Sequence, residues 1–148
     1  MSEDKLRRAL SLLSGPSLYV NLDGIRELEG LGEDVPKTLL KHYRQSRGWR
    51  ARLSCVYFAV PYARTNDDAA KLGIEALNDR SRKVRYRACS LLAYSLREDV
   101  LPYLRSMLNH DDSITVADVR AAIECIEAKN HHWFMDRGHT GRVKWTVE

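Results

Sequence analysis

The sequence predicts an all-α protein built from paired helices. Three observations predict it. Before residue 130, apolar residues recur every three to four positions, the period of a half-buried helix. No segment in that stretch alternates with the period of a strand. The chain also repeats itself: shifted by 35 residues, Trp49-Arg50-Ala51-Arg52-Leu53 falls on Val84-Arg85-Tyr86-Arg87-Ala88, then on Val119-Arg120-Ala121-Ala122-Ile123. Val56, Leu91 and Ile126 coincide further along, and Arg50, Arg85 and Arg120 form one column.

The elements follow in order. Leu6, Leu10 and Leu13 make residues 3–13 a first amphipathic helix, stopped by Ser14-Gly15-Pro16. Asn21-Leu22-Asp23 can cap a short helix ending near Gly30 to Gly32. Pro36 suits the first turn of the next, with Leu39, Leu40 and Tyr43 on one side. Gly48 separates it from a helix over 49–60, which Pro61 ends or kinks. Asn66 or Asp67 caps the following helix, whose Leu72, Ala76 and Leu77 face inward. Ser81 precedes a helix over about 82–96, Asp99 leads into 100–109, and Ser113 or Thr115 opens a last helix to about Lys129. Residues 1–34 then form an N-terminal cap and 35–130 three helix pairs, each giving its neighbours an apolar face. In the remainder, 131–148, Arg142 to Val147 alternates at period two. The expectation there is a short hairpin or extended tail, with His132 to Met135 as partner strand and two glycines in the turn.

The 148 residues suit one domain with one sizeable core. The net charge of +4 is unevenly spread. Residues 35–97 hold 14 basic and four acidic groups, a balance of +10, while 98–128 carry −5. Of the 24 basic residues 17 are Arg, the better bidentate partner for carboxylate or phosphate. A basic middle between acidic flanks predicts a surface for a partner. No apolar run approaches the ~18 residues of a membrane span, so no membrane partner is expected. Arg7 and Arg8 break any secretory signal core, which makes a cytoplasmic chain the expectation.

Residues 77–88, Leu-Asn-Asp-Arg-Ser-Arg-Lys-Val-Arg-Tyr-Arg-Ala, resemble the inter-helix turn of HEAT-like repeats: an Asp, then Val-Arg ending six residues after it, then Ala. The resemblance covers roughly residues 36–129 and implies a short right-handed α-α superhelix, an α-solenoid. In that family the Asp and Arg form a ladder between neighbouring repeats, and the matching residues here are Asp79 and Arg85. The other repeats depart from it, with Arg44 six before Arg50 and Ile114 six before Arg120. Such solenoids are mostly binding scaffolds, which implies an adaptor or an immunity-type inhibitor of a partner protein; some bind nucleic acid along a basic face.

The candidate partner-binding residues are Arg47, Arg52, Arg82, Lys83, Tyr86, Arg87 and Trp145. The first six combine charge with aromatic surface in the basic region, a mixture suited to a protein interface or to single-stranded bases. Trp145 is an aromatic of the tail. Arg50, Arg85 and Arg120 are expected to pair internally, Trp49 to be at least half buried, and Cys55, Cys89 and Cys125 to be small core residues. No catalytic constellation and no cofactor motif is found, so the expectation is a non-enzymatic protein. No metal site is expected either. Adjacent His131 and His132 would diverge on a strand, and Asp136 to Gly141 echoes a calcium loop without its second Asp or its closing Glu. The partner expected is another protein, with nucleic acid the alternative through residues 35–97.

Overall fold

The computed structural model describes residues 3–147, apart from the side chains of Leu18 and Tyr19. Met1 and Ser2 of the expected cap and Glu148 of the tail lie outside them. The protein is all-α. Among the described residues it has eight α-helices, four short 3-10 turns and no strand.

Helix α1 (Glu3–Ser11) carries Glu3 and Asp4 in its first turn and Arg8 in its last, matching the helix dipole. Helix α2 (Leu18–Gly30) starts earlier than the sequence suggests, because Ser17 Oγ accepts the Val20 N–H at 3.3 Å and caps it ahead of Asn21. Helices α3 (Val35–Gln45) and α4 (Trp49–Ala59) follow, with Pro36 in the first turn of α3 and Pro61 in a 3-10 turn after α4. Asn66 Oδ1 caps α5 (Asp67–Ala76) through the Ala69 N–H at 3.0 Å. Helix α6 (Arg82–Ser95) ends on Leu96 in the left-handed region. The expected 100–109 helix is only α7 (Leu101–Arg105), entered through a 3-10 turn. Asp112 Oδ1 caps α8 (Ser113–Ala128), taking the Ile114 N–H at 3.0 Å.

The pairs α3–α4, α5–α6 and α7–α8 pack internally, α4, α6 and α8 lie side by side, and α3 packs on α5. Two helical layers result, with α1 and α2 against the α4 end. One continuous core joins them, from Leu13 and Leu28 through Leu39, Val56 and Leu72 to Phe134. Cys55, Cys89 and Cys125 are fully buried within it.

A row of ion pairs stitches the repeats together, in a register of 33 rather than 35 residues. Arg52 of α4 reaches Asp79 in the α5–α6 turn, Nε to Oδ2 at 2.8 Å and Nη2 to Oδ1 at 3.2 Å. Arg85 of α6, 33 positions on, reaches Asp112 at 3.0 Å in the turn before α8 and also bonds Thr115 Oγ1 and the Asp79 carbonyl. Asp118 of α8, another 33 on, pairs with Arg137 at 3.0 Å, so the last rung is reversed in charge and fastens the C-terminal loop. The side chains of Arg52 and Asp79 are 7% and 3% exposed, which makes that rung an interior contact. Arg52 is therefore not the exposed partner residue expected of it. Arg50 and Arg120, expected in its place, are exposed. The reason is helical phase: on α4, position 52 faces the next inter-helix turn and position 50 does not.

The tail forms no hairpin among the described residues. Residues 131–134 form a 3-10 turn capped by Asn130. Asp136 then folds the loop: Oδ1 accepts from Thr140 N and Oγ1 (both 3.0 Å) and Oδ2 from Gly141 N (2.8 Å). The Asp-x-x-x-Thr-Gly spacing is thus a turn whose carboxylate is already occupied, closed by Gly141 at φ +77°. Residues 142–147 have no regular secondary structure, and at Trp145 histidine side chains, not a neighbouring strand, bond the backbone.

Candidate functional site

Helices α4, α6 and α8 each present one stripe of side chains to the same side of the molecule. On α4 the stripe is Trp49, Leu53 and Tyr57, four residues apart; on α6 it is Lys83, Tyr86, Arg87 and Ser90; on α8 it is Ile114 and Asp118. Between them lie three adjoining concavities of about 690, 430 and 510 Å³. Arg87 lines all three, and Tyr57 and Phe58 are shared by the first two. They form one groove centred on Arg87. Its largest part is apolar, walled by Leu22 and Ile25 of α2, Phe58 and Val60, and by Trp145 and Val147 of the tail.

Among the described residues, eight of the 17 arginines pair with a carboxylate. Arg44 holds Glu75 bidentately at 2.6 and 2.9 Å, Arg97 bridges Asp67 and Asp99, and Arg82 holds Asp112 at 2.6 Å. Three groove cations are different. Arg87 has its guanidinium carbon 5.0 Å from the Tyr57 ring centre and 5.3 Å from that of Tyr86. Lys83 Nζ sits 4.7 Å from the Trp49 ring centre, and the Arg50 guanidinium 5.3 Å from the same ring. Among the described residues, none of the three has a carboxylate within ion-pair distance. A guanidinium laid on an aromatic face keeps its N–H edge for an acceptor, so ring contact positions the charge without using its donors.

The other candidates are placed as follows. Arg47 is exposed, and its carbonyl accepts from Arg52 Nη1 and from Arg80 Nη2. Arg82 is on the groove rim but already paired. Tyr86 is half-buried, with its hydroxyl against Met135 Sδ and its ring 5.4 Å from Phe134. Trp145 packs on Tyr94 and Phe134 and forms part of the apolar wall. The groove therefore unites Arg82, Lys83, Tyr86, Arg87 and Trp145, excludes Arg52, and adds Trp49, Arg50 and Tyr57. Trp49 is 38% exposed, more than its place in a Val column implies. The four-residue spacing of positions 49, 53 and 57, with a cation beside the first, is the sequence signal for this stripe.

Other reactive groups are engaged or buried. Ser90 Oγ donates to the Arg87 carbonyl at 2.7 Å. Burial pushes all three thiols up, Cys125 to about 12. Burial also raises Asp118, and the Arg137 guanidinium only partly offsets this. No group of three or more His, Cys, Asp or Glu among the described residues could hold a metal ion, and no described helix is long and apolar enough to cross a membrane. No family model matches the chain, and no curated protein matches it.

Proposed function

We propose that the chain is a HEAT-like α-solenoid, a short right-handed superhelix of helix pairs, acting as a non-enzymatic protein-interaction module. It seats an acidic segment of a partner protein in the α4–α6 groove, as an adaptor or an immunity-type inhibitor would. The observation that carries this reading is the set of three groove cations, Arg50, Lys83 and Arg87, held on aromatic rings with no carboxylate partner among the described residues. The apolar concavity beside Arg87 supports it by offering a place for a partner's apolar anchor, the usual centre of a protein interface. The row of Asp–Arg pairs between successive helix pairs supports the HEAT-like reading of the fold.

Nucleic acid is the second reading, favoured by the +10 balance of residues 35–97. The −5 balance of 98–128 opposes a long phosphate track, because α8 would meet the backbone with carboxylates. Native co-purification of the full chain, with and without nuclease, separates the two readings. The expected result is a stoichiometric protein that survives nuclease. The variant pair Lys83→Glu and Arg87→Glu should lose it by ~30-fold or more in affinity, about 2 kcal/mol, with an unchanged circular dichroism spectrum. Retention of the partner by the variant, or its loss to nuclease, overturns the proposal.

A further inference from the structure

The C-terminal strap, residues 142–147, closes one side of the groove through Trp145, Thr146 and Val147. The Arg142 N–H at its start donates to Thr140 Oγ1 at 3.1 Å, and beyond it two hydrogen bonds hold the backbone, both at Trp145. The Trp145 N–H donates to His132 Nδ1 at 2.9 Å, and the Trp145 carbonyl lies 2.8 Å from His131 Nε2. Among the described residues these are the only hydrogen bonds made by residues 143–147. The bonds dictate the tautomers. His132 accepts at Nδ1 and so carries no proton there. His131 donates at Nε2, while its Nδ1 faces Arg64 Nη2 at 3.0 Å. Arginine can only donate, so that Nδ1 is also bare. Both rings are therefore neutral when the strap is seated.

We infer that His131 and His132 form a pH-sensitive clamp, which holds the strap against the groove while both imidazoles are neutral and lets it go when either is protonated. A proton on His132 Nδ1 would point at the Trp145 N–H. A proton on His131 Nδ1 would point at Arg64 and set two cations 3.0 Å apart. The rings themselves lie 4.0 Å apart between centres, so a charge on His132 opposes protonation of His131. The groups facing them give no relief. Arg64 comes from the segment after α4, the Tyr94 ring from α6, and the Cys125 thiol of α8 meets the His131 carbonyl. No carboxylate lies within ion-pair distance of either ring among the described residues, where the salt-bridged histidine is His139 with Glu124. Burial also lowers the His131 pKa from its ordinary value, and the Arg64 and His132 charges add to this against the bond to Trp145. With the strap released, the groove loses the Trp145 and Val147 wall, so a partner anchored there binds less well in acid. This last step rests on the groove being the interaction site; the clamp itself does not.

The test is amide hydrogen exchange of the full chain by NMR at pH 7.5 and 5.5, corrected for the intrinsic pH dependence, with ring titrations of His131 and His132 recorded on the same sample. The expected result is a loss of protection at the Trp145 amide at pH 5.5 that exceeds any loss at the α6 amides by at least 10-fold and tracks a His131 or His132 midpoint. The double variant His131→Gln and His132→Asn keeps a donor and an acceptor at the bonding positions without titrating, and should abolish the pH dependence. Equal Trp145 protection at both pH values in the natural chain overturns the clamp. So does a loss that tracks neither ring, a reading that holds even if the double variant does not fold. No partner is needed, so failure of the groove proposal would leave this result standing, and the reverse.

Discussion

Replacing Asp79 by Asn probes the rung on which the α4–α6 register depends. Asp79 Oδ2 accepts from Arg52 Nε and from the Tyr43 hydroxyl, both at 2.8 Å; Oδ1 accepts from Arg52 Nη2 at 3.2 Å and Ser81 N at 2.9 Å. An amide cannot satisfy this set. Whichever way it turns, its NH₂ meets an Arg52 donor, and the buried guanidinium loses its counter-charge. Breaking a buried pair from one side costs about 3–5 kcal/mol, a large share of the roughly 5–15 kcal/mol available to a domain. For a chain of this size that corresponds to a Tm lower by roughly 10 °C. Urea unfolding followed by circular dichroism measures it. The companion double variant Arg52→Met with Asp79→Leu removes both charges and should be more stable than Asp79→Asn alone. A loss below ~1 kcal/mol in Asp79→Asn, or a double variant worse than either single change, would refute an interior ion pair at this position.

Three further outcomes follow from the same packing. The thiols of Cys55, Cys89 and Cys125 are fully buried with raised pKa values, so a thiol reagent at pH 8 should label none of them until denaturant is added. Gly73→Ala should destabilise by about 1–3 kcal/mol in thermal melts despite Ala's better helix propensity, because its Cβ would lie 2.7 Å from Leu91 Cδ2 and 2.9 Å from Leu92 Cδ2, where α5 meets α6. Stability should fall as pH drops through about 6.5, since His42 and His131 are half-buried with lowered pKa values and the unfolded chain takes up protons that the folded chain refuses. The Asp79 contribution has the same sign in a lower window. Burial raises that carboxyl, but the bonds from Arg52, Ser81 and Tyr43 outweigh it, so its stabilisation persists above about pH 4 and is lost only in stronger acid. A chain that unfolds at the same urea concentration at pH 7.5 and 5.5 would contradict the histidine part.

The helices were legible in the sequence because their signals are local: Pro36 in a first turn, Asn66 as a cap, Leu39 and Leu72 at helical spacing. The repeat was legible too, but its register was not. Aligning whole pentapeptides weights the apolar matches, and the Val84–Val119 coincidence pulls the shift to 35. The ladder obeys 33, because Arg52 and Arg85 each meet an Asp 27 residues on. That distinction separates an interior Arg52 from an exposed Arg50, and it depends on helix rotation against a neighbour. Of the two expectations for the tail, a hairpin or an extended tail, the hairpin is not found among the described residues, for a different reason. Arg142 to Val147 has strand periodicity, yet periodicity says nothing of what pairs the backbone, and here two imidazoles take that place. Of the groove, Lys83, Tyr86, Arg87 and Trp145 were visible as cations and aromatics. The apolar concavity was not, since it gathers Leu22, Phe58 and Val147 from three distant segments.

The most direct measurement is photocrosslinking from within the groove. A benzophenone side chain at Tyr57, which lies under Arg87, is compared in native lysate with one at Tyr103, which is exposed on α7. The groove proposal predicts adducts from position 57 to an acidic segment of one protein, abolished by Arg87→Glu, and few from position 103. Adducts to nucleic acid from position 57, or protein adducts from position 103 with none from 57, would contradict it.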